Sequence, residues 1–127
     1  MLDTDSVSYA IRGAGRVAER IVAHSPSQLC ISAITLAELR YGAERLNSHK
    51  LHRAIETFVR SVGVVAFDDE CAATYGRIGA KLAAAGETIG DIDTMIAAHA
   101  LALGVTLVTN NERHFSRVPA LRIANWF

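Results

Sequence analysis

Residues 89 to 111, Ile-Gly-Asp-Ile-Asp-Thr-Met-Ile-Ala-Ala-His-Ala-Leu-Ala-Leu-Gly-Val-Thr-Leu-Val-Thr-Asn-Asn, set a helix directly against a strand. Ile92, Ile96, Ala100 and Leu103 recur at helical intervals after Asp91, and Gly104 is placed to stop the helix. Val105 to Thr109 is then a short β-branched run closed by the polar Asn110 and Asn111. Asp93 shares a helix face with Ala97 and Ala100, beside the stripe through Ile96. A carboxylate turned toward a sheet is costly to bury without a partner, so this acid needs an explanation beyond solubility.

The same alternation continues outward. Met1-Leu2 reads as a strand stub, followed by a helical stretch from Val7 toward Val17, Ile21 and Val22, with Gly13-Ala14-Gly15 inside it. His24 to Gln28 is a turn and Leu29 to Ile34 a second strand. Thr35 and Glu38 have the spacing of a capping box opening the next helix. Leu51, Ile55, Phe58, Val59 and Val62 repeat helically, and Val62 to Phe67 forms a strand closed by Asp68-Asp69-Glu70. Tyr75, Ile78, Leu82 and Ala85 mark a helix ending at Gly86, and Leu121 to Trp126 offers a short edge strand. Strands alternating with helices predict an α/β fold, a central parallel sheet of four or five strands flanked by helices, as one domain over residues 1–127.

Composition narrows the class. The chain has 127 residues, half of them apolar and 20% charged, which describes a packed globular domain rather than a disordered chain. No apolar run is long enough to span a membrane. The opening residues lack a basic-then-apolar leader pattern, and Cys30 and Cys71 imply no disulfide framework, so a cytoplasmic location is expected. Thirteen basic and thirteen acidic residues cancel. Any contact with nucleic acid must therefore come from local patches and a metal, not from a global positive field.

Asp3, Glu38, Asp93 and Asn111 fall where successive strands should end, and ligands of open parallel sheets bind outside those ends. Each has a plainer reading. Asp3 suits a helix N-cap, Glu38 a capping box, Asp91 is a better plain cap than Asp93, and Asn111 suits a turn. Taken together, they form an oxygen-only set that fits Mg²⁺ or Mn²⁺ better than zinc. His49 and His52 lack further metal ligands nearby, while His99 and His114 are secondary candidates for general bases. Arg12, Arg16, Arg40, Lys81 and Arg113 are candidates for a phosphate-binding rim, although scattered arginines more often serve solubility.

Four blocks now stand in order: residues 1 to 5, 31 to 42, 89 to 100 and 107 to 115. Together they resemble the signature blocks of PIN-domain ribonucleases. The short length and the closing Arg-Val-Pro-Ala-Leu-Arg-Ile-Ala-Asn-Trp are similar to the VapC toxins of type II toxin–antitoxin systems. The resemblance implies that Asp3, Glu38 and Asp93 are the acidic metal ligands, with Asn111 at a variable fourth position. It further implies that Thr4, Asp5 and Thr109 support the cluster. It implies a Mg²⁺- or Mn²⁺-dependent endoribonuclease acting on RNA, homodimers, and neutralisation by a small antitoxin of the VapB kind. From the residues alone two other readings stay open. A non-catalytic RNA- or protein-binding module would use the same acids as caps. A receiver domain would use Asp68 or Asp69, but Val105 to Asn111 lacks the lysine such a domain needs.

Overall fold

A computed structural model describes residues 1–127. Leu2, fully buried, sits at the middle of the sheet and bridges in parallel to Ile31 on one side and Val108 on the other. Its N–H donates to the Cys30 carbonyl at 2.9 Å, and the N–H of Asp3 donates to the Val108 carbonyl at 3.0 Å. Outside these, β1 (Cys30–Ser32) pairs with β2 (Gly63–Val65), and β3 (Leu107–Val108) pairs with β4 (Ile123–Ala124), all parallel. The order across the sheet is β2, β1, Leu2, β3, β4. This is the expected α/β arrangement, and because every strand runs the same way, all carboxyl ends open on one edge.

Seven helices cover it: α1 (Thr4–Arg12), α2 (Val17–Val22), α3 (Ala33–Arg45), α4 (His49–Ser61), α5 (Asp69–Ala85), α6 (Asp91–Ala102) and α7 (Glu112–Phe115). Successive strand residues point to opposite faces. Met1 and Leu107 accordingly join a core with Ile78, Leu82, Ile96 and Phe115, while Leu2 and Val108 join another with Val7, Ile31, Ile55 and Val62. Helices α5, α6 and α7 therefore pack on one face and α1, α3 and α4 on the other.

Several sequence expectations shift. The stretch from Val7 to Val22 is two helices, because Gly13 takes a left-handed φ of 66° and Gly15 one of 63°, conformations open to glycine at little steric cost. The glycines therefore end a helix instead of lying inside one. Helix α3 starts before the expected capping box: the Ser32 hydroxyl accepts from the Ile34 N–H at 3.0 Å. Thr35 is thus inside the helix, its hydroxyl buried without a partner, and Glu38 lies in the second turn. Gly90, not Asp91, is the N-cap of α6. The strands are shorter than the apolar runs that predict them, and the polar segment after β3 winds into α7.

Candidate metal centre

Asp3 follows Leu2 immediately and is 3% exposed. Its Oδ1 accepts from the Ser6 N–H at 2.7 Å and caps α1, so the plain reading of this residue holds. Capping occupies one carboxylate oxygen and does not exclude a second role for the other. Ser6, which the sequence offers as a possible sharer of the capping role, is instead the residue capped, and its hydroxyl donates to the Val108 carbonyl at 3.0 Å, tying the start of α1 to the end of β3. The signal was available, because the residue three after an N-cap is the one it bonds. Burial raises the Asp3 pKa above the ordinary carboxylate value, partly offset by hydrogen bonding from Thr109 and Ser6, while Asp5 adds to the rise.

Glu38 and Asp93 do not stand at strand ends. Glu38 is one helical turn inside α3, and Asp93 is the third residue of α6, which follows α5 with no strand between. They reach the same edge because α3 leaves β1 without a loop and α6 packs beside α3. The Thr4 hydroxyl donates to Glu38 Oε2. Burial raises the Glu38 pKa, the Thr4 hydrogen bond lowers it, and the charges on Asp93, Asp5 and Asp3 raise it further. Glu38 therefore feels all three neighbouring acids at once.

Thr109 and Asn111 close the ring. The Thr109 hydroxyl accepts from the Asn111 N–H at 2.9 Å, and His114 Nδ1 lies 3.0 Å from Asn111 Nδ2 and 3.2 Å from Asp93 Oδ2. One ring nitrogen cannot donate to a carboxylate and accept from an amide together. His114 thus ties either Asp93 or Asn111, one at a time. Asp3, Thr4, Asp5, Glu38, Asp93, Thr109 and Asn111 are consequently linked through contacts or mutual charge. No three Asp, Glu, His or Cys side chains, however, close into a tight coordinating group. Each of the three main acids instead turns one oxygen to a local donor: Ser6 for Asp3, Thr4 for Glu38 and His114 for Asp93.

The remaining candidates lie elsewhere. His99 is fully buried, with Nδ1 2.8 Å from Ser32 Oγ and Nε2 unpartnered. His52 faces Glu44 at 3.5 Å. Arg16 and Arg40 are committed to Glu19 and Glu56, whereas Arg12 lines a groove of about 220 Å³ together with Thr4, Ser8 and Glu38.

A parallel sheet with acids gathered at its carboxyl edge is an arrangement that α/β domains of several activities share, and comparison with known proteins places this one. The PIN domain model matches residues 1–121. The tRNA(fMet)-specific endonuclease VapC of Salmonella typhimurium is 39% identical over 127 residues, covering 99% of this chain and 96% of that protein. Ribonuclease VapC2 of Haemophilus influenzae is 40% identical with the same coverage. The crystal structure of VapBC2 from Rickettsia felis bound to a DNA fragment from their promoter superposes with a TM-score of 0.92 at 33% identity, over 100% of this chain and 98% of that one. The chain belongs to the PIN-domain family, in its branch of VapC ribonuclease toxins.

Proposed function

We propose that this ribonuclease hydrolyses phosphodiester bonds in RNA, tRNA among them, using Mg²⁺ or Mn²⁺ held by Asp3, Glu38 and Asp93 with the Asn111 side-chain oxygen. The observation that carries the reading is the placement of Glu38, a half-buried carboxylate held by Thr4 and raised in pKa by burial and by acids from two distant parts of the chain, Asp93 and the pair Asp5 and Asp3. Carboxylates so placed favour a counter-charge, and a donor set of oxygens suits a hard cation. A divalent ion bound there supplies Lewis-acid stabilisation of charge on the phosphate and lowers the pKa of water. The chain's own part is positioning. Thr4 holds Glu38, Ser6 and Thr109 hold Asp3, and His114 steadies Asp93 or Asn111, so that little reorganisation remains when charge develops.

Two relatives' names, one a tRNA-specific endonuclease and the other VapBC2 on promoter DNA, support a toxin that inhibits translation in the cytoplasm. The promoter-bound VapBC2 complex supports a small antitoxin partner for this chain, with which we infer that it assembles as a homodimer. No helix is long and apolar enough to cross a membrane. The test is incubation of the purified chain, free of partner, with total RNA. Cleavage should need Mg²⁺ or Mn²⁺ and fall at least a hundredfold in Asp93→Asn. Cleavage in EDTA, or an undiminished variant, contradicts the reading.

A further inference from the structure

An RNA backbone is a polyanion, and the cluster it must reach is acidic in a chain of zero net charge. Approach therefore requires cations fixed beside the acids. Thr4, Ser8 and Arg12 follow each other at intervals of four along α1, which puts them on one face over about 12 Å. All three line the groove that also holds Glu38. Ile11, Arg12 and Leu51 wall a second groove as well, which continues to Ser48 and Lys50 at the start of α4. A continuous groove thus runs from the acid cluster along α1 to α4, its walls largely apolar and its two cations, Arg12 and Lys50, toward the far end.

The charges along this track are uncommitted. Arg16, Arg40 and Arg77 each face a glutamate, but neither Arg12 nor Lys50 has a carboxylate partner. The Arg12 guanidinium instead lies 5.5 Å from the centroid of the Tyr9 ring, a contact that leaves its N–H groups able to bind an anion. A strand whose bases are unpaired can follow such a groove with its backbone against the cations.

Resting on the nuclease reading above, we propose that single-stranded RNA lies along this track, with successive backbone phosphates held by Arg12 and Lys50 on one side of the scissile bond. The contacts are to phosphate, so they set the strand's path and register without reading its sequence.

The test uses the full chain carrying Asp93→Asn to suppress cleavage, with a fluorescent single-stranded RNA and anisotropy read over a salt series. Arg12→Gln and Lys50→Gln should each weaken binding severalfold for every sequence tried, and each should make the slope of log K against log salt shallower by about 0.7. Arg77→Gln, on α5, facing Glu70 and outside both grooves, should leave affinity and slope unchanged. In the active chain the Arg12 and Lys50 variants should raise KM with kcat kept. Equal affinity and slope in parent and variants overturns the track, as does a loss confined to antitoxin binding, which would give the groove to a protein partner. Absence of metal-dependent cleavage in the unmodified chain would instead sink the nuclease reading itself.

Discussion

His99 shows how far a single side chain in this fold is fixed by its surroundings. It is fully buried, bonded through Nδ1 to the hydroxyl that caps α3, and set edge-on to Phe67 with ring centroids 5.6 Å apart. Burial lowers its pKa, with only Asp68 opposing. An unfolded histidine takes up its proton near pH 6.5, so just below that value the unfolded chain binds a proton that the folded chain refuses. This contribution to stability is present above pH 6.5 and is lost as the pH falls, by up to about 1.4 kcal/mol per pH unit. Urea unfolding at pH 7, 6 and 5 should therefore show a steeper acid loss in the unmodified chain than in His99→Gln. Parallel profiles would contradict the assignment. The acids of the cluster differ in kind, because Asp3 and Glu38 have raised pKa values and burden the fold when ionised.

At the scale of elements, the break between α1 and α2 is a backbone property. A Cβ added at Gly13 would meet nothing within 4 Å, so Gly13→Ala carries only the left-handed strain. It should cost about 1 kcal/mol in urea unfolding, with no loss of cleavage. An unchanged stability would mean that α1 can end otherwise. This glycine also shows where sequence reading falls short. Val7, Ile11, Val17 and Ile21 keep a helical rhythm across the break, because both helices face the same core and periodicity registers the face rather than continuity. Helix α6, by contrast, was legible from Asp91 to its stop near Gly104, since its apolar stripe and glycine end agree. The start of α3 was misread because Ser32 serves as both strand residue and cap, leaving no loop to mark the boundary. The acids were legible as chemistry, and Ser6 follows Asp3 at N-cap spacing, but Thr4 and His114 become partners of Glu38 and Asp93 only through packing that no local spacing encodes.

Over the whole molecule, one two-sided sheet brings distant residues to a shared edge. Leu2 holds both halves together, and Asp3 beside it is drawn under the starts of α1 and the end of β3. Helices α3 and α6, which meet at that edge, then supply Glu38 and Asp93. Function in this account depends on topology: three acids 35 and 55 residues apart in sequence acquire a common field only when the parallel order is complete. The most direct measurement is an anomalous difference map from a crystal of the chain soaked in Mn²⁺. A peak bounded by Asp3, Glu38 and Asp93 is expected in the unmodified chain and should disappear in Asp93→Asn. A Mn²⁺ peak elsewhere, in a crystal form that still cleaves RNA when dissolved, would contradict it.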